Sequence, residues 1–361
     1  MKYPSIAPLA ITLLLLTGCS KDTTTESPSG SSENTLTATR ISSSSAPSIS
    51  SAAEEAIWDN ATAFTLTASP IGANFKGSYR SFPVEIKSVV TDDEIYFLVK
   101  YDDPTEDYLR TPLAFLGGDP ANGKNWTLLK AYDDGVSLIF ESVPGSTEGV
   151  LFKDKGCAML CHTVKTADWN PGMFSEDTTL GIYDLWYWHS GKSNADGYAE
   201  DKFSKSYPDA TTYFDNLNQN NFKNNIAGDT ASGYLPQQIA NGNNNGLDKR
   251  YFIDEASAVY FGSQTINPAT GSPWSIGNRV PGYVIGTPSA TTDYFDVQSR
   301  GYYTGNKWIV KFKRKLATDD NYSDIVLAHG KEYLFSIAIH DATQPADHYG
   351  VADKSYKLQI K

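Results

Sequence analysis

The 361-residue chain is poor in the residues from which most reactive sites are built, with three cysteines, five histidines and three methionines. The histidines are scattered. No Ser-His-Asp order, Gly-rich nucleotide loop or pair of catalytic carboxylates stands out beside them, which leaves little from which to build a hydrolase. Positive charge is also short: 30 Lys and Arg against 42 Asp and Glu give a net charge of −12. That balance argues against nucleic acid as a partner and against electrostatic docking to anionic lipid. Ile11-Thr12-Leu13-Leu14-Leu15-Leu16 is an apolar run too short to span a bilayer. Acidic runs such as Asp102-Asp103 with Glu106-Asp107 lack the ligand spacing of an EF-hand and read as solvated surface. There is no internal repeat.

What is present begins at the N-terminus. Lys2 opens a short basic region, the apolar run follows, and Leu16-Thr17-Gly18-Cys19 resembles the cleavage site of a bacterial lipoprotein signal. Residues 1–18 are therefore expected to be removed and Cys19 to carry lipid; the alternative is an ordinary secretory signal with an incidental cysteine. Either route places the chain outside the cytosol, in the periplasm or on the outer membrane, where cysteines oxidise. Residues 19–54 are dominated by Ser and Thr and are expected to form a flexible tether. Residues 55–361 make one domain, and a chain that is 40% hydrophobic can give it a core.

Strand patterns dominate that domain. Ile95-Tyr96-Phe97-Leu98-Val99 is a β-branched and aromatic run between aspartate pairs, and Val136-Ser137-Leu138-Ile139-Phe140 follows the turn Asp133-Asp134-Gly135. Trp308, Val310 and Phe312 alternate with Ile309, Lys311 and Lys313, as do Tyr333, Phe335, Ile337 and Ile339 with their neighbours. Short strands between Gly, Pro and Asp turns predict an all-β antiparallel sandwich of two sheets, with long loops and a few short helices. The stretch from about 190 to 300, rich in Asn, Gly and Tyr, reads as loops and weak strands decorating it.

The segment with most chemistry is Gly156-Cys157-Ala158-Met159-Leu160-Cys161-His162, one residue longer than the C-x-x-C-H pattern of covalent haem attachment. Two thiols add to the porphyrin vinyl groups, and a histidine directly after the second is carried beneath the ring as an iron ligand. Cys157 and Cys161 as a disulfide, or with His162 as zinc ligands, are the alternatives. With Cys19 assigned to lipidation, no thiol remains to complete a Cys-rich zinc site.

The order of these features resembles the haem-binding subunit family of ethylbenzene dehydrogenase and the related dimethyl-sulfide and selenate enzymes. The similar segments are Ile95 to Pro104, Asp133 to Val136, Gly156 to His162, Asp184-Leu185-Trp186-Tyr187-Trp188, Val280 to Tyr283, Trp308 to Leu316 and Ile337 to Asp341. The resemblance implies a two-sheet sandwich holding one haem at one end, and electron transfer rather than catalysis. The best-known members bind b-type haem through Met and Lys beside molybdenum and iron–sulfur subunits; this chain has cysteines and a lipid anchor instead. His348 is expected as the distal ligand because it follows the last long strand, where the family contributes one, with His189 and Met173 next and His340 behind them. Trp186 and Trp188, two apart on an extended segment, are expected to wall the haem, or else to be core residues. The expectation is thus a lipid-anchored cytochrome with one covalent haem c passing electrons between partner proteins. Two alternatives stand beside it. One is a carbohydrate-binding sandwich with tyrosine-rich loops around Tyr251, Tyr260, Tyr283 and Tyr302 and a Cys157–Cys161 disulfide. The other is a haem sensor with an open sixth position.

Overall fold

The computed structural model describes residues 34–361 apart from 72–74, 145–151, 159–180, 206–221, 241–252, 255–257, 263, 269, 287–294, 321 and 344–346. Cys19, Met159, Cys161, His162, Met173 and Tyr251 lie outside the described residues.

Twelve strands share one hydrogen-bonded network: β1 (Thr35–Arg40), β2 (Phe64–Ile71), β3 (Phe82–Val90), β4 (Glu94–Asp102), β5 (Gly135–Val143), β6 (Ile182–His189), β7 (Glu200–Lys205), β8 (Gln298–Thr304), β9 (Lys307–Lys315), β10 (Glu332–His340), β11 (His348–Gly350) and β12 (Tyr356–Ile360). Their order is β8-β9-β4-β3-β1-β12-β10-β5-β6-β7, while β2 and β11 pair with each other and bridge β3 to β10. The network folds into two facing layers. Phe97 on β4 meets Trp186 on β6 at 5.8 Å between ring centroids, and Trp308 on β9 meets Trp188 on β6 at 5.0 Å. The fold is the expected β-sandwich, and its helices are single turns, such as Phe152–Lys155.

Alternation builds the core. Trp308, Val310 and Phe312 point inward from β9, as do Phe335, Ile337 and Ile339 from β10, and all are buried in one cluster. Fully burying such a side chain contributes roughly 1.5–3 kcal/mol, which fixes each strand's register because a one-residue slip would expose the set.

The boundary of the domain differs from the expectation. Thr35–Arg40, assigned to the tether, is strand β1, inserted between β12 and β3 and parallel to both. Its Leu36 and Ala38 are fully buried in the core, and its threonines suit a pleated surface. The tether is shortened accordingly. Within the stretch 190–300, Glu200–Lys205 and the start of Gln298–Thr304 belong to the main network, while other described residues form short strand pairs, such as Ile226–Asp229 with Gly233–Pro236, beside a separate cluster that includes Trp126, Phe115 and Phe261. Where the two sandwich edges meet, Ala199 N donates to Val297 O at 2.9 Å and Ser299 N to Gly197 O at 3.0 Å, drawing the start of β7 onto β8.

Candidate functional site

Residues of opposite parity on β6 and β10 leave the core and face the outer side of their layer. This places His189 and His340 there, beside His348 from β11 and Cys157 from the turn after the short helix, all buried. Cys157 Sγ lies 3.6 Å from His348 Nε2, and the His348 and His340 rings are 5.4 Å apart. Tyr187 stacks between His340 and His189, at 4.7 and 3.7 Å. Burial pushes the Cys157 thiol up to about 12, against a weaker opposing effect of Ser336, so the sulfur stays a thiol. Burial also lowers His189 to about 4 although Asp133 and Glu200 favour its cation. Asp133, 2.8 Å from Arg110 and 3.4 Å from His189, is held below the ordinary carboxylate range because these partners outweigh its burial.

Three of the residues expected to serve one haem, Cys157, His189 and His348, are thus brought near one another. Cys157 and His348 are in direct contact, while Cys161 and His162 lie outside the described residues. Trp186 and Trp188 share a face as expected, but it is the core face: Trp186 packs on Phe97 and Phe140, Trp188 on Trp308.

On the other side of β6, at the seam where β7 meets β8, an open cleft of about 410 Å³ is lined by Glu106, Tyr108, Asn194, Arg300, Tyr302, Tyr303 and Trp308 among others. Its volume lies in the range of roughly 300–1,000 Å³ usual for small-molecule sites. The wall is rigid. Asn194 Oδ1 accepts from Trp188 Nε1 at 3.0 Å and from Gly301 N at 2.7 Å, while its Nδ2 donates to Gly301 O at 3.1 Å. Arg300 Nη1 donates to the carbonyls of Asn194 and Ala195 at 2.8 and 2.9 Å, which fixes its guanidinium. Gly301 is required here, since a Cβ would stand 2.1 Å from the Trp188 ring. Below the cleft, Trp308 Nε1 donates to Asp134 Oδ2 at 3.0 Å and Tyr303 Oη to Asp103 O at 2.9 Å.

Asp103 corrects a second expectation. It is fully buried rather than solvated, and burial together with Asp341 raises its carboxyl to about 7. Of the tyrosines singled out in the sequence, Tyr302 lines the cleft, whereas Tyr260 is 79% exposed on the satellite. Arg300, Asn194 and Glu106 carry no local signal; only the compact Arg300-Gly301-Tyr302-Tyr303 run hints at a built wall.

An all-β sandwich with a polar, aromatic cleft at its edge defines the class. The sequence model of the ethylbenzene dehydrogenase family matches residues 55–350, and the chain belongs to that family. No curated protein sequence matches it. Among solved structures it is similar to a family 9 carbohydrate-binding module from Caldicellulosiruptor kristjanssonii, in complex with glucose (8% identity, 91% of this chain and 96% of that one, TM-score 0.29) and with cellotriose (7%, 91% and 94%, 0.30). A protein from Bacteroides uniformis described as carbohydrate-binding is also similar (8%, 91% and 99%, 0.36). The family resemblance stands, but the c-type cytochrome does not. The three similar structures carry carbohydrate-binding descriptions and none is described as a cytochrome; at this identity they speak for the fold alone.

Proposed function

We propose that the chain is a binding protein, not an electron carrier, and that the cleft at the β7–β8 seam holds a carbohydrate. The observation that carries this reading is the composition of the wall: the partly exposed rings of Tyr108, Tyr302 and Tyr303 stand beside the planar polar groups of Arg300, Glu106 and Asn194. Sugars present an apolar face of C–H bonds, which a ring covers, and an edge of hydroxyls. Planar guanidinium and carboxylate groups meet neighbouring hydroxyls in pairs, with the strength of charge-assisted bonds, while Asn194 holds the wall in place. The fixed guanidinium and the closed hydrogen-bond set of Asn194 mean that little ordering remains to be done on binding.

The test is a titration with a panel of mono- and oligosaccharides, followed by calorimetry and by the emission of Trp308 in the cleft. Saturable binding that Arg300→Ala and Tyr302→Ala each weaken by about tenfold, the equivalent of roughly 1.4 kcal/mol, is the expected result. No saturable binding anywhere in the panel overturns the reading. The signal-like Leu16-Thr17-Gly18-Cys19 supports presentation of this module on a membrane through lipid at Cys19. Labelling with a radioactive fatty acid should mark the wild type and not Cys19→Ser.

A further inference from the structure

We propose that Asp184, Asp201 and Asp324 form a binding site for a divalent, oxygen-seeking cation, calcium by its chemistry, where β6, β7 and β9 meet the segments carrying Asp296 and Asp324. Asp184 lies on β6, Asp201 on β7, Asp296 just ahead of β8 and Asp324 in the loop after β9. One carboxylate oxygen each from Asp184, Asp201 and Asp324 comes within 4.8 Å of the other two, and all three residues are buried. Arg314 on β9 faces them, its Nη1 at 2.6 Å from Asp184, 3.6 Å from Asp324 and 3.9 Å from Asp201. The guanidinium is otherwise committed, donating to Ile325 O at 2.5 Å and lying 4.7 Å over the Trp186 ring.

One guanidinium faces three buried carboxyl groups, so with all three ionised two negative charges would lack a counter-charge, at a desolvation cost that a cation would offset. The oxygens themselves point to a missing ligand. Asp184 Oδ2 accepts from Arg314 and from Ile325 N, but Asp184 Oδ1 is buried with no hydrogen-bond partner. Either a proton or a metal ion must satisfy it. All-oxygen carboxylate donors without nitrogen or sulfur suit a hard ion rather than zinc. Calcium, which accepts six to eight oxygens in irregular geometry, fits donors drawn from three separate segments better than magnesium, which keeps its waters and demands an octahedron.

The experiment uses the full chain stripped with EDTA. At pH 8, titration with calcium chloride should show one site by calorimetry and raise the thermal midpoint. Asp201→Asn should weaken binding by at least about tenfold, while Asp341→Asn, in the separate cluster with Asp103 and Asp134, should leave it unchanged. In case Asp201→Asn does not fold, terbium bound to the wild type should luminesce on tryptophan excitation, be displaced by calcium, and lose emission in Trp186→Phe. No calcium binding at pH 8, binding abolished by Asp341→Asn but kept by Asp201→Asn, or terbium emission indifferent to Trp186→Phe would each overturn the assignment.

Discussion

Asp103 is enclosed with Asp134 and Asp341 under the cleft, its Oδ1 4.0 Å from the Arg80 guanidinium. Because its folded pKa of about 7 lies above that of an unfolded aspartate, about 3.9, the unfolded chain ionises first. The stability due to this group is complete below about pH 4 and is lost as pH rises through about 7. Asp103→Asn keeps an acceptor for the Thr105 amide, 3.1 Å from Oδ1, and removes the titration. Its unfolding free energy should fall less than that of the wild type between pH 4 and 8 in urea titrations; an unchanged slope would mean that Asp103 is already ionised in acid. Gly301→Ala should cost about 1–3 kcal/mol by overpacking against Trp188 and should reduce ligand binding with it, both readable in one thermal-shift experiment with and without sugar. Cys157, with its thiol held up near 12 and no exposed surface, should resist iodoacetamide in the folded protein and react on unfolding, as peptide mapping would show; rapid native labelling would contradict its burial.

Among elements, β1 does most for its length. Six residues supply partners to both β12 and β3, so removing them uncovers two strand edges and the core beneath Leu36. A chain beginning at Asn34 should unfold cooperatively like the longer protein, whereas one beginning at Glu55 should lose that cooperative transition and expose apolar surface to a reporter dye. Leu36→Ala within the intact chain should cost roughly 2–5 kcal/mol. The strand hid in the sequence because Leu36 and Ala38 are the only inward side chains among threonines, a pattern as compatible with a solvated linker as with a buried strand. By contrast β9 and β10 were legible through apolar residues at a period of two, and β4 and β5 through continuous β-branched and aromatic runs beside turn residues. The site was less legible for a physical reason. Cys157 and His348 meet as the strand pairing required, but spacing alone could not say whether a ring or direct contact lay between them. The cleft joins residues 106–108, 194 and 300–308, which only the seam between β7 and β8 makes neighbours.

At the scale of the molecule, early and late segments share a sheet centre. Thr35 pairs with Lys357 and Ala38 with Ile360, so the network cannot be completed until almost the whole chain is available. Long-range pairing of this kind makes folding slow, and refolding after dilution from urea should proceed in several phases, with native Trp186 and Trp188 emission recovered last.

The same parallel pairing sets how the domain bears a pull. If Thr35 and Ile360 are pulled apart, β1 and β12 are dragged in opposite directions along their common axis. The bonds of the Thr35–Ala38 register are then loaded together rather than opened one after another from an end, so this is the stiff direction of the sandwich.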